Sequence, residues 1–195
     1  MKKLLIATKE PGKVREIKKL LVGLPLKILS LKDIKLPKNF SIIEDGHTFA
    51  QNAIKKAKAY GNFSQLLTLA DDSGLCVDAL SGQPGIKSAR YCQGSPQARI
   101  KKLLSALAPV PFQKRTAQFV CVLALYNPKT GKVKIKRGEC CGLIIKTLKG
   151  KRGFGYDPVF YLPNLKKTFS QISIKEKNRL SHRAKAIKKI RRYLM

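Results

Sequence analysis

Leu66-Leu67-Thr68-Leu69-Ala70-Asp71-Asp72-Ser73-Gly74-Leu75 carries a mostly apolar run straight into two adjacent carboxylates. A short apolar run bounded by turn-forming residues is the pattern of a buried strand. Leu66 to Ala70 is therefore expected to be a strand, with Asp71 and Asp72 at its end. The two acids stand out because 41 Lys and Arg face only 11 Asp and Glu in 195 residues, a formal net charge of +30. Glu44, Asp45 and Asp157 likewise fall beside glycines and apolar runs. Scarce carboxylates in such places read as ligands for a hard cation such as Mg²⁺. The other reading is a turn or a cap, both common roles for Asp.

Working outward, Leu4 to Ala7, then Pro11-Gly12, then the periodic Val14, Ile17 and Leu21 predict a strand, a loop and a helix. The loop from Thr8 to Lys13 offers a hydroxyl, backbone N–H groups at a helix start and a lysine, all suited to phosphate. It is not a Walker A loop, because Val14 follows Lys13. Leu26 to Leu29 reads as a second strand. Thr48 and Gln51 have capping-box spacing and open a helix with Phe49, Ala53, Ile54, Ala57 and Tyr60 on its apolar face; Gly61 is expected to end it. Ser95-Pro96 starts another helix. Arg115 to Tyr126 and Lys132 to Lys136, around Asn127-Pro128-Lys129-Thr130-Gly131, predict a hairpin. Ser181 opens a last helix with a stripe of Ala184, Ala186, Ile187, Ile190 and Leu194. Parallel crossovers together with a hairpin imply an α/β chain with a mixed sheet, in one domain spanning residues 1–195.

Composition excludes several classes. The opening Met1-Lys2-Lys3-Leu4-Leu5-Ile6-Ala7 is read as a strand and not a leader, since Lys9-Glu10-Pro11 ends its apolar run early. No stretch approaches the roughly 18 apolar residues of a membrane span, so a soluble, cytoplasmic protein with no membrane partner is expected. The five cysteines, Cys76, Cys92, Cys121, Cys140 and Cys141, form no C-x-x-C pair, which argues against a zinc site or a disulfide framework. Cys76 and Cys121 are expected in the core. The basic residues are dispersed along the chain with no nucleic-acid-binding motif, so nucleic acid is expected to bind only through non-specific charge.

Two later motifs also carry chemistry. Gly153-Phe154-Gly155-Tyr156-Asp157-Pro158 combines flexible glycines, two rings able to stack on a base and a carboxylate. Ser181-His182-Arg183 places a histidine at a helix start, where the dipole keeps it neutral. With Ala7-Thr8, Lys13-Val14-Arg15-Glu16, Glu44-Asp45-Gly46, Thr48-Phe49, Asn52-Ala53, Ala70-Asp71-Asp72-Ser73-Gly74-Leu75, Pro84-Gly85, Ser88-Ala89-Arg90-Tyr91 and Lys177-Asn178, the ordered set resembles the inosine triphosphate pyrophosphatase family, also called XTP/dITP diphosphatases.

The resemblance implies Mg²⁺-dependent hydrolysis of deaminated purine nucleoside triphosphates (ITP, dITP, XTP) to monophosphate and pyrophosphate. The implied fold is an elongated mixed β-sheet flanked by helices, in two lobes with the active-site cleft between them, usually as a homodimer. Glu44 and Asp72 correspond to its metal-binding acids, and Asp72 to its general base. An ordinary aspartate, with a pKa of about 3.9, is a weak base, so Asp72 is also expected to orient the water, with Asp71 as the alternative catalytic partner. Thr8, Lys9, Glu10, Pro11, Gly12, Lys13, Ser73, Phe154, Gly155, Tyr156, Asp157, Lys177, His182 and Arg183 correspond to substrate-binding positions. Phe154 is expected to stack on the base, and His182 or Arg183 to read purine position 6.

Departures from the family pattern are Lys9-Glu10 in a loop that commonly reads Thr-Gly-Asn or Thr-Asn-Asn, Gln51 for a Glu, and Arg152-Gly153 for Gly-Gly. Glu10 puts negative charge where triphosphate is expected; Lys9, Lys13 or Mg²⁺ offsets it, or its side chain points away. A Maf-type nucleotide pyrophosphatase resembles this family but opens with a Ser-Pro-Arg-Arg-like loop that is absent here. A basic nucleic-acid-binding protein on an inactive scaffold is the rival of another class; Glu44, Asp71, Asp72 and Lys177 argue against it.

Overall fold

A computed structural model describes residues 1–195. In chain order it comprises β1 (Lys2–Ala7), α1 (Pro11–Leu20), β2 (Leu26–Ser30), α2 (Phe49–Ser64), β3 (Leu67–Val77), α3 (Pro96–Ala106), β4 (Thr116–Tyr126), β5 (Val133–Ile144), β6 (Phe160–Leu162), β7 (Lys167–Thr168), α4 (Ile174–Leu180) and α5 (His182–Ile190). The seven strands form one sheet in the order β2-β1-β3-β4-β5-β6-β7. β1 runs parallel to β2, with Leu4 opposite Ile28, and parallel to β3, with Ala7 opposite Ala70. β6 is antiparallel to both β5 and β7. The sheet is thus mixed and flanked by helices, an open α/β architecture.

The chain divides into two compact units, one made of Met1–Asp72, Cys121–Gly138 and Arg183–Met195, the other of Ser73–Val120 and Glu139–His182. The first unit packs Leu4, Ile6, Ile17, Leu21, Leu69, Leu123, Ile187 and Ile190 into one core. The second packs Leu75, Leu103, Phe119, Tyr156, Phe160 and Phe169 into another. Rings dominate there: Phe119 and Phe160 lie 4.7 Å apart between centroids, and Phe160 and Phe169 5.0 Å.

Local chemistry sets most element ends. Thr48 caps α2 in a full capping box with Gln51, and Ser95 caps α3 with Pro96 at its first position. The hairpin turn between β4 and β5 is closed by the Asn127 N–H donating to the Lys132 carbonyl. Expectations change at the end of β3 and at Cys76, and a helix is added before the last one. β3 does not end at Ala70, where its pairing with β1 stops, but continues through both acids to Val77 with β4 as its other neighbour. A further helix, α4, ends at Ser181 as its C-cap, and α5 opens at His182 directly after Ser181, as the sequence leads one to expect. Of the two cysteines expected in the core, Cys121 is buried and Cys76 only partly so.

Gly61 does not end α2. The helix runs on to Ser64, and Gln65 takes the left-handed cap at φ 55°. Glycine is needed at 61 for close approach, since a Cβ there would stand 2.5 Å from Tyr126 Cδ1 and 3.3 Å from Thr68 Oγ1. The Tyr126 hydroxyl is held by donating to Asn62 Oδ1 at 2.6 Å, which limits retreat of the ring. Gly61→Ala is therefore expected to lower stability by about 1–2 kcal/mol, because overpacking exceeds the roughly 1 kcal/mol gain in helix propensity. The urea midpoint checks this; a midpoint at or above wild type would show that Tyr126 yields.

Candidate active site

In β3 successive side chains point to opposite faces, and the two acids have different partners. Asp71 is fully buried. Its Oδ1 lies 2.6 Å from Lys13 Nζ on α1, and its Oδ2 accepts from Arg183 Nε at 2.8 Å and from Cys121 Sγ at 3.2 Å. Arg183 also donates through Nη1 to Glu16 of α1, and both residues are buried. Burial opposes a charge on Asp71, but Arg183 and Lys13 outweigh it and hold its carboxyl well below the usual range. Burial, reinforced by the Asp71 charge, pushes the Cys121 thiol well up, keeping it protonated.

Asp72 meets a second cluster within the same unit. Lys56 Nζ, on α2, lies 2.7 Å from Asp72 Oδ1 and 3.0 Å from Glu44 Oε2. Asp72 Oδ2 is buried and has no hydrogen-bond partner. Burial raises the Asp72 pKa, with Lys56 and Lys13 working against that rise. Burial would lower the Lys56 pKa, but Asp72 and Glu44 overcome it and raise it. Asn52 anchors the segment carrying Glu44: its Oδ1 accepts from the Gly46 N–H at 2.9 Å and its Nδ2 donates to the Gly46 carbonyl at 3.3 Å.

The loop before α1 is organised by its own residues. Thr8 Oγ1 accepts from the Glu10 N–H at 3.3 Å, and Glu10 caps α1 by accepting the Gly12 N–H at 3.2 Å. Glu10 therefore folds back on the helix N-terminus, and its carboxylate takes a donor that the sequence pattern offers to phosphate. Lys9 and Pro11 are exposed, Gly12 is buried and Lys13 half-buried.

The second unit holds the remaining residues. Lys177, buried, pairs with Asp157, and its ammonium lies 5.0 Å from the Phe154 ring centroid and 5.2 Å from that of Phe169. Asp157 Oδ2 accepts the Phe154 N–H at 2.9 Å, which fixes the turn through Gly153 (φ 79°) and Gly155 (φ 59°). Phe154 and Ser73 stay half-buried.

A family model described as the Ham1 family matches residues 4–193. The chain belongs to the Ham1 family. Among its relatives, the dITP/XTP pyrophosphatase of Desulforamulus reducens is 48% identical over 190 residues, covering 96% of this chain and 92% of that protein. The dITP/XTP pyrophosphatase of Geobacter sulfurreducens is 44% identical over 196 residues, covering 100% and 97%. The solved HAM1 protein from Coxiella burnetii superposes with a TM-score of 0.88 at 36% identity, covering 100% of this chain and 98% of that one.

On this Ham1 chain the expected site residues differ in how deeply they are buried. Asp71 has both oxygens engaged and no exposed surface. Arg183 is just as buried, in ion pairs with Asp71 and Glu16. Tyr156 is a core ring whose hydroxyl donates to the Ser88 carbonyl at 3.0 Å. His182 is buried and stacked on Phe119, centroids 4.8 Å apart and planes 13° apart.

The roles of two residues of the site are not marked by the sequence pattern. Lys56 is one lysine among many, although it breaks the apolar face of α2 four residues after Asn52. Glu16 falls in the Lys13-Val14-Arg15-Glu16 motif, but nothing local marks its role, since its partner Arg183 lies 167 residues away.

The Glu44 and Asp72 pair fits a hard divalent cation. A buried carboxylate oxygen without a partner is costly, and a cation at Asp72 Oδ2 removes that penalty. No three His, Cys, Asp or Glu side chains converge. Two carboxylates suit an ion that completes its shell with water and phosphate oxygens.

Removing Arg183 strands two buried acids. Arg183→Met is expected to lose about 3–5 kcal/mol, the usual cost of breaking one partner from a buried ion pair, read by urea unfolding at pH 7. The folded Asp71 pKa lies below its unfolded value of about 3.9, so its contribution is complete above that pH and is lost as pH falls through the folded value. Asp71→Asn should flatten this acid limb. A loss under 1 kcal/mol in Arg183→Met would deny the network its structural role.

Proposed function

We propose that this chain hydrolyses deaminated purine nucleoside triphosphates (ITP, dITP and XTP) to the monophosphate and pyrophosphate, using Mg²⁺. The observation that carries this reading is the buried, partnerless Asp72 Oδ2 beside Lys56 and Glu44. The names of its relatives supply the substrate class.

Glu44 and Asp72 would hold the metal, which when bound neutralises phosphate charge and stabilises the departing pyrophosphate. Lys56 pairs with both carboxylates and adds a cation for the phosphate chain. Asp72 orients the water that attacks the α-phosphorus, from which pyrophosphate leaves in line. Burial brings Asp72 nearer to a useful basicity than a free carboxylate. Lys13, fixed by Asp71, supplies a further cation for phosphate together with Thr8 and the loop of Lys9, Glu10, Pro11 and Gly12. Asp71 is a positioning residue: it touches Lys13 and Arg183.

For the base we assign Phe154 as the stacking ring, with Gly155 and Ser73 beside it. Lys177 and Asp157 fix the turn that presents it, and Tyr156, His182 and Arg183 support the surrounding fold. A hydrogen-bond donor aimed at position 6 donates to the keto oxygen of hypoxanthine or xanthine and opposes the amino group of adenine, and such buried mismatches discriminate by roughly 10⁴. No helix is long and apolar enough to cross a membrane. A cytoplasmic homodimer is the form we assign.

The test is pyrophosphate release from ITP, dITP, XTP, GTP and ATP, with Mg²⁺ or with EDTA. Release is expected to favour the deaminated purines over ATP, to stop in EDTA, and to fall by about 10²–10³ in kcat for Asp72→Asn. Orthophosphate as the product, or metal-independent turnover, would overturn the reading.

A further inference from the structure

Basic residues that look dispersed in the sequence are gathered by the fold. Residues 128–138, Pro-Lys-Thr-Gly-Lys-Val-Lys-Ile-Lys-Arg-Gly, and residues 184–195 contain many cations and no acid. Both segments lie in the first unit. They meet at Tyr193: Lys134 Nζ lies 5.6 Å from its ring centroid, Lys136 Nζ 5.4 Å and the Arg192 guanidinium carbon 4.9 Å. Lys189 Nζ donates to the Arg137 carbonyl at 2.8 Å, tying α5 to β5. Arg191 donates to the Val22 carbonyl at 3.5 Å, fixing the segment at its other side.

We propose that Lys134, Lys136, Lys189 and Arg192, gathered around Tyr193, form a docking face for the sugar-phosphate backbone of nucleic acid. None of the four cations makes an ion pair, so each keeps its charge for a partner. They are exposed, apart from half-buried Lys136. Like charges drawn to one ring repel one another, and a polyanion relieves that repulsion while releasing its own counterions. The Arg192 hydrogen bond to the Tyr193 hydroxyl, 2.8 Å long, lowers the phenol's pKa, a sign that the local field favours negative charge.

A membrane surface suits this face less well. An interfacial helix must offer an apolar side to the lipid, whereas Ala186, Ile187, Ile190 and Leu194 are buried in the core of the unit. The Tyr193 ring is already covered by cations, so base stacking contributes little and sequence preference is expected to be weak. The face shares no residue with those given a part in hydrolysis above, and the inference does not depend on that activity.

The test is fluorescence anisotropy of a labelled 30-base-pair DNA and a 30-nucleotide RNA across a salt series, with wild type and two charge-matched variants. One variant combines Lys134→Gln, Lys136→Gln and Arg192→Gln. The control combines Lys114→Gln, Lys166→Gln and Lys167→Gln, three exposed lysines of the second unit. On DNA the slope of log affinity against log salt should shrink by about 2–3 in the first variant, at roughly 0.9 for each phosphate no longer neutralised, and by less than 1 in the control. Unchanged melting temperature and pyrophosphate release would show that the first variant is folded. Equal losses in both variants, no binding by wild type at 100 mM salt, or tighter binding to phosphatidylserine vesicles lost in the same variant would each overturn the proposal.

Discussion

A carboxylate with no solvent, held between an arginine and a lysine, organises the first unit. Asp71 on β3 joins Lys13 of α1, Arg183 of α5 and Cys121 of β4, segments far apart in sequence. Arg183 returns to α1 through Glu16. Buried charges are tolerated only when each is matched, so the two acids and two cations constrain one another. Removing any one leaves an uncompensated charge in the core, which makes the arrangement specific as well as stabilising. Lys13 is thereby fixed at the start of α1, beside the loop that Thr8 and Glu10 organise.

The neighbouring acid has the opposite character because a strand alternates. Asp72, one residue on, meets Lys56 and Glu44 and keeps one oxygen without a partner. One acid has both oxygens paired within the fold, and the next keeps one unpaired, the oxygen proposed to take the metal. The second unit repeats the division: the Lys177 and Asp157 pair is buried, and the turn it fixes leaves Phe154 partly open.

Local signals are legible in the sequence and distant ones are not. The Thr48 and Gln51 capping box, the Ser95-Pro96 helix start and the hairpin at Asn127 to Gly131 depend on residues a few positions apart, and each is found where the spacing puts it. The Asp pair stands out by composition, yet its pattern suggests a strand end, because sheet pairing that prolongs a strand is invisible in its own sequence. Gly61 looks like a helix terminator; its cause is the Tyr126 ring, 65 positions later. The motifs of Arg183, Tyr156 and His182 suggest substrate contacts. Their burial depends on Asp71, Ser88 and Phe119, none of which those motifs contain. The dispersed charge misleads in the same way, since two acid-free segments converge on Tyr193 only in the fold.

The division of labour between Asp71 and Asp72 is open to a direct measurement. Binding of Mn²⁺, followed by electron paramagnetic resonance in the presence of α,β-imido-ITP, which resists cleavage at the α-phosphorus, separates the two carboxylates without relying on turnover. Asp72→Asn is expected to weaken Mn²⁺ binding by at least about tenfold while the protein stays folded, since its partnerless oxygen is the proposed ligand. Asp71→Asn, studied at a temperature where it remains folded, should bind Mn²⁺ within about threefold of wild type, a difference of under 1 kcal/mol. Undiminished Mn²⁺ binding in Asp72→Asn, or its loss in a folded Asp71→Asn, would contradict the account.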